Sequence, residues 1–167
     1  MVDKEKIRSE YIKFTKQLIN KNISITTMES CTGGLISSLI TDTEGSSAIF
    51  AGSLVTYSNN VKIMLGVPSE TIKKYSVYSE ETAKAMATAA RNTFNAMVGI
   101  GITGTTGNID PNNAEDSVPG KIYFSVCSKK KNESFCIELP PQNSRVDYKF
   151  LAAEKILEKL IIFTESM

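Results

Sequence analysis

Apolar residues recur at helical spacing near both ends of the chain. Ile7, Tyr11, Phe14 and Leu18 share one face, which predicts an amphipathic helix over residues 4–20. Val146, Phe150, Ala153, Leu157 and Leu160 mark a second such helix at the C-terminal end. Between them the period changes repeatedly. Ile23 to Met28 is short, β-branched and alternating, as a strand would be. Leu35, Ile36, Leu39 and Ile40 return to helical spacing, and Asp42 to Ser47 reads as a loop. Ile49 to Tyr57 predicts a second strand, and Asn59 to Leu65 a short helix closed by Gly66 and Pro68. Ser79 suits an N-cap, followed by Glu80 and Glu81 and by a face of Ala83, Met86, Ala90 and Phe94. Met97 to Ile102 is apolar on both faces, the pattern of a central strand. Residues 105–119 are rich in Gly, Pro, Asn and Asp and predict a long loop. Ile122 to Val126 and Phe135 to Leu139 alternate on either side of Lys129-Lys130-Lys131-Asn132, an antiparallel hairpin. Helices alternating with strands, then a late hairpin, predict one three-layer α/β/α domain over residues 1–167 with a mixed sheet.

Composition narrows the chemistry. The 167 residues carry 19 basic and 18 acidic side chains, a formal net charge of +1. No basic excess marks a nucleic-acid surface. No run of apolar residues is long enough for a membrane span. The first ten residues, MVDKEKIRSE, are charged throughout and unlike a signal peptide, so a cytoplasmic location is expected. The chain contains no histidine. That excludes a Ser-His-Asp triad, a Cys-His pair and His-ligated metal sites. Acid–base work near neutral pH must fall to Lys, Tyr, Cys or shifted carboxylates. No ligand cluster for a metal is visible, and no cofactor is implied. Of the three cysteines, Cys127 and Cys136 flank the hairpin turn and can face each other across it, although a reducing compartment argues against a disulfide.

Four places can carry chemistry. Glu29-Ser30-Cys31-Thr32-Gly33-Gly34 lies where a strand hands over to a helix, the position at which open α/β sheets bind ligands. A helix start offers free N–H groups to a phosphate or an oxyanion. An ordinary N-cap explains the same residues, and Cys31 is either a low-pKa thiol or a small packing residue. Tyr57-Ser58-Asn59-Asn60-Val61-Lys62 repeats the strand-to-helix pattern. With Asn59 as N-cap, Lys62 falls in the first turn, where the helix dipole and burial both disfavour its ammonium form. Such a lysine can serve as a base; a solvated surface lysine is the plain alternative. Gly99 to Gly104 matches G-x-G-x-x-G literally, but its first glycines sit inside the strand and a loop follows, so the dinucleotide context is missing. The turn Thr103-Gly104-Thr105-Thr106-Gly107 still offers hydroxyls and N–H groups to a phosphate or ribose, or is a turn without a ligand. Arg145, near the start of the last helix, can clamp a phosphate or lie in solvent.

Together these segments resemble the CinA C-terminal domain family, whose stand-alone members are nicotinamide-mononucleotide amidohydrolases. The resemblance rests on ESCTGGLIS (29–37), GSSAIFAGSLVTYSNNVKIMLGVP (45–68), VYSEETAKAMA (77–87) and GIGITG (99–104), in the family's order and over nearly the whole chain. It implies a three-layer α/β/α sandwich with a mixed, mostly parallel five-stranded sheet. It implies hydrolysis of the amide of nicotinamide mononucleotide to nicotinate mononucleotide and ammonia. Catalytic roles would fall on Ser30, Tyr57 and Lys62, with Ser30 as nucleophile and Lys62 as base. Substrate contacts would come from Cys31, Thr32, Gly33 and Gly34, from Thr103, Gly104, Thr105 and Thr106, and from Arg145. Two departures stand out. The family commonly reads T-G-I-A-G-P where this chain has Thr103 to Asn108, and G-D-R-x-x-V-R where it has Asn143 to Lys149. The altered turn motivates a second expectation, a pyridine-nucleotide-binding module with little or no catalysis. The resemblance also implies a homodimer or higher assembly, for which the apolar faces of the first and last helices are the expected surface.

Overall fold

The computed structural model describes residues 2–167. Six α-helices and five strands follow in the order α1 (Lys4–Lys21), β1 (Ile25–Glu29), α2 (Leu35–Thr41), β2 (Ser53–Val55), α3 (Asn59–Met64), α4 (Ser69–Tyr75), α5 (Glu80–Phe94), β3 (Val98–Gly104), β4 (Lys121–Cys127), β5 (Asn132–Glu138) and α6 (Arg145–Glu165). The sheet order is β2-β1-β3-β4-β5. β1 pairs in parallel with β2 and β3, while β4 runs antiparallel to both β3 and β5. Only β4 is therefore reversed, and the sheet is mixed with four strands pointing one way. Helices cover both faces, as the alternation of elements predicts.

The larger core layer lies between the sheet and α1, α2 and α6. Ile7, Tyr11, Phe14 and Leu18 are buried there with Phe150, Ala153, Leu157 and Leu160. Full burial of the isoleucine, leucine and phenylalanine side chains stabilises by about 1.5–3 kcal/mol each. Tyr11 Oη donates to the Ala153 carbonyl oxygen at 2.8 Å and ties α1 to α6. Apart from the half-exposed Val146, the apolar face residues read from the first and last helices are thus consumed inside the domain and are not a free surface for assembly. The other layer is thinner, because α5 lies close against β3. A methyl group at Gly101 would collide with the Ala83 carbonyl oxygen, and one at Gly99 with that of Ala87. The two glycines of the G-x-G-x-x-G match serve this close approach of helix to strand.

The sequence pattern and the structure part company in four places. β1 is buried at all five positions rather than on one face, because it has neighbours on both edges and helices on both sides. β2 keeps only three of the nine residues predicted, since Ile49 and Phe50 donate their N–H groups to the Ser46 carbonyl oxygen in a tight turn instead of joining a ladder. α4 buries no residue and so leaves no apolar stripe to read. In the hairpin, Cys127 stands opposite Asn132 and Cys136 opposite Tyr123, so the two thiols do not face each other and all three cysteines are free. Among the described residues no helix is long and apolar enough to cross a membrane.

Candidate active site

The parallel strands β1, β2 and β3 end on the same side of the sheet, and the loops that leave them build one site. β1 delivers Glu29, fully buried. Its carboxylate accepts five hydrogen bonds: from Thr27 Oγ1 at 3.0 Å, Thr32 Oγ1 at 2.7 Å, and the backbone N–H groups of Gly34 (3.1 Å), Ile36 (3.1 Å) and Ser37 (2.8 Å). A helix start leaves its first N–H groups unpaired, and here Glu29 fills them. This corrects the expectation of a free anion site at the start of α2. Gly33 and Gly34 adopt φ of 62° and 92°, a left-handed turn that brings the chain back over Glu29. The Gly33 N–H donates to the Ser30 carbonyl oxygen at 3.0 Å. Thr32, Gly33 and Gly34 consequently shape the loop and stand outside the cavity described below.

Ser30 sits directly after this anchored strand end. Its N–H donates to the Ile102 carbonyl oxygen at 3.0 Å, which fixes the residue between β1 and β3. Lys62 reaches it from α3. Lys62 Nζ donates to Ser30 Oγ at 3.0 Å and to the Thr56 carbonyl oxygen at 2.7 Å. The lysine is 1% exposed and, among the described residues, has no carboxylate partner within ion-pair distance. Burial pulls its pKa down from 10.5 to about 8, against smaller upward pulls from Cys31 and Asp110. The N-cap of α3 is Ser58 rather than Asn59; its Oγ accepts from the Val61 N–H at 3.3 Å. Lys62 is then the fourth residue of a six-residue helix, and desolvation rather than a helix dipole lowers its pKa.

Ser30, Cys31, Tyr57 and Lys62 line a cavity of about 670 Å³ together with Gly104, Thr105, Thr106 and Arg145. The four segments singled out in the sequence therefore meet in space. Among the described residues Tyr57 makes no hydrogen bond to Lys62; its Oη accepts from Arg145 Nη2 at 3.0 Å, and the tyrosine is exposed. Cys31 is buried, and desolvation with the nearby Glu29 charge pushes its thiol up to about 12. It is a neutral packing group, not a thiolate. Thr103 Oγ1 donates to the Val77 carbonyl oxygen at 2.9 Å and lies behind the cavity wall. Thr105 Oγ1 is 3.0 Å from Ser117 Oγ. Thr106 lines the cavity, but its Oγ1 is itself buried and has no hydrogen-bond partner among the described residues. Lys149 has its Nζ beside Gly33 and outside the cavity lining.

Two further features carry little signal in the local sequence. Glu29 lies within a recognised motif, yet its task shows only when the loop folds back. The strand-end position of an acidic residue ahead of a helix is the one cue the sequence offers. Asp110 belongs to the long loop after β3 and also lines the cavity. Its Oδ2 accepts from Tyr78 Oη and from Asn113 Nδ2, each at 2.7 Å. Those bonds, Asn113 foremost, hold its carboxyl below the usual carboxylate range. Among the described residues no group of three His, Cys, Asp or Glu side chains is arranged to hold a metal ion.

Comparison with known proteins matches residues 8–162 to the CinA C-terminal domain. A CinA-like protein of Prochlorococcus marinus subsp. pastoris is 39% identical over 138 residues, covering 74% of this chain and 31% of the relative. A CinA-like protein of Fervidobacterium nodosum is 42% identical over 113 residues, 66% of this chain and 27% of the relative. The chain thus spans under a third of the length of these curated relatives. Among solved structures, a competence-damaged protein (CinA) superfamily protein from Escherichia coli superposes with a TM-score of 0.84 at 28% identity, covering 96% of this chain and 92% of the other. A competence or damage-inducible protein from Enterobacter asburiae gives 0.85 at 25% identity, with 93% and 96% covered.

Proposed function

The chain belongs to the CinA C-terminal domain family, and from that premise we propose that it hydrolyses the carboxamide of nicotinamide mononucleotide to nicotinate mononucleotide and ammonia. One observation carries the reading: a buried lysine with a lowered pKa, 3.0 Å from a serine hydroxyl, in a chain without histidine. Such a pair is a nucleophile with its base. With its pKa near 8, Lys62 is neutral in about a tenth of molecules at pH 7. One of its N–H groups stays on the Thr56 carbonyl oxygen, and its lone pair then faces Ser30 Oγ.

In the proposed reaction Ser30 Oγ bonds to the carboxamide carbon as its proton passes to Lys62 Nζ. The C–N bond breaks, and the departing nitrogen takes that proton and leaves as ammonia. Water then attacks the acyl-serine, again yielding a proton to Lys62. The acid product forms, and the Lys62 proton returns to Ser30 Oγ. Arg145, held by Tyr57, is available to the ribose phosphate. Binding at that remote end orients the amide at Ser30.

The test is ammonia release from nicotinamide mononucleotide by the wild type and by Lys62→Met. Release by the wild type alone supports the reading. Release by both removes Lys62 from the base role. Thermal stabilisation by the nucleotide with no ammonia from either points instead to the binding module.

A further inference from the structure

The cavity's charges say more about the ligand than its shape does. Three ionisable lysine, arginine or carboxylate side chains line it: Lys62, Asp110 and Arg145. In the form that acts as a base Lys62 is neutral. One negative and one positive group then remain. Asp110 reaches the cavity from the loop after β3, and Arg145 from the start of α6. Among the described residues no ion pair joins them, and none pairs Asp110 with any lysine or arginine.

Asp110 is also held firmly. Besides the bonds from Tyr78 and Asn113, its Oδ1 accepts from the Asn112 N–H at 3.0 Å, and its own N–H donates to Ser117 Oγ at 2.9 Å. These donors are all uncharged. They fix the carboxylate in place and favour its anionic form without cancelling its charge. Its field reaches Lys62, whose pKa it raises slightly. A fixed, hydrogen-bonded carboxylate without a counter-ion, on the wall of a partly enclosed cleft, attracts a cation.

We infer that Asp110 is a specificity-determining residue that selects a ligand whose ring carries a positive charge, while Arg145 takes its anionic end. The inference rests on the amidohydrolase reading and deepens it. The pyridinium nitrogen of an oxidised nicotinamide nucleotide and the phosphate at its other end supply the two charges the cavity lacks. An uncharged aromatic carboxamide on the same ribose phosphate supplies only one. An asparagine oxygen would serve the Asn112 N–H equally well, but the Tyr78 and Asn113 donors both meet Oδ2 and need an acceptor there, so the uncharged ligand is the control for any disturbance of the loop in Asp110→Asn.

The experiment compares wild type and Asp110→Asn on two ligands. One is nicotinamide mononucleotide. The other is benzamide riboside 5′-phosphate, which keeps the carboxamide, ribose and phosphate and loses the ring charge. Ammonia release gives kcat/KM for each, and calorimetry on the same proteins gives Kd. Asp110→Asn is expected to lower kcat/KM for the cationic nucleotide by about tenfold or more, with the uncharged one held within about twofold. Equal losses on both ligands, or no loss on either, overturn the inference and leave Asp110 a turn residue. If the wild type releases ammonia from neither, the amidohydrolase reading fails on its own and the Kd values decide. Weakening confined to the cationic ligand then still supports selection by charge. Equal weakening of both, or binding of neither, overturns it.

Discussion

Lys62 links stability to pH in a way that can be measured without any substrate. Consider Lys62→Met, which keeps an unbranched side chain of similar length and removes the titrating group. In the folded wild type the pKa falls from 10.5 to about 8, which corresponds to about 3 kcal/mol. The sign follows from where the proton is held. Below about pH 8 the lysine is protonated in both states, and the folded chain bears the whole cost of the buried charge. Between about 8 and 10.5 the unfolded chain keeps a proton that the folded chain has released, so stability rises with pH. Above 10.5 the cost is gone. The hydrogen bonds to Ser30 and Thr56 are lost in the variant at every pH and shift the comparison by a constant. Cys31, the neighbouring thiol, stays neutral across most of the window because it titrates near 12. Urea denaturation of both proteins from pH 6 to 10.5 therefore isolates one group. The wild type should gain about 3 kcal/mol on the variant, or roughly 1–2 M in urea midpoint at ordinary slopes. In parallel, kcat/KM of the wild type should rise with an apparent pKa near 8 and level off above it. A stability difference that stays flat over this range would show that Lys62 titrates as an ordinary lysine, and the base assignment would go with it.

Three other perturbations have definite outcomes. Glu29→Gln sets an amide NH₂ against N–H and O–H donors and should cost about 3 kcal/mol by urea denaturation; a loss below about 1 kcal/mol would contradict the capping role. Arg145→Ala should raise KM for nicotinamide mononucleotide about tenfold with kcat little changed; steady-state kinetics with an unchanged KM would remove it from phosphate binding. Iodoacetamide on the native protein at pH 8 should label the exposed Cys136 and spare Cys31 and Cys127, read by peptide mass; rapid labelling of Cys31 would mean an open, acidic thiol.

The parts of this fold that can be read from sequence are those whose signal is local and repeated. The stripes of α1, α5 and α6 and the apolar run of β3 declare themselves because each buries a face over several turns or pairs. Helix α4 is silent for the same reason in reverse. Ser30 and Lys62 stand out as residues at strand-to-helix junctions, but their separation of 32 positions is closed only by the parallel pairing of β1 with β2. The cap of α3 illustrates a finer limit. Ser58 and Asn59 are both good caps, and one residue of difference decides whether Lys62 lies in the first turn or beyond it. Asp110 was illegible in a loop of Asn, Asp and Pro, because its meaning comes from a cavity whose other walls lie far away in sequence.

The strand–loop–helix junction that carries Ser30 has the construction of an anion receptor, and its anion is already covalently attached. A tethered carboxylate has an effective concentration that dilution cannot reduce, so the loop is ordered before any ligand arrives. Nucleophile placement then costs the ligand none of its binding free energy. It also explains why the phosphate contact must be sought at Arg145 and not at the helix start. Cutting the tether should turn the occupant into an exchangeable one. Glu29→Ala would leave a seat for a small free carboxylate, and molar formate should recover part of the lost Tm where molar chloride does not.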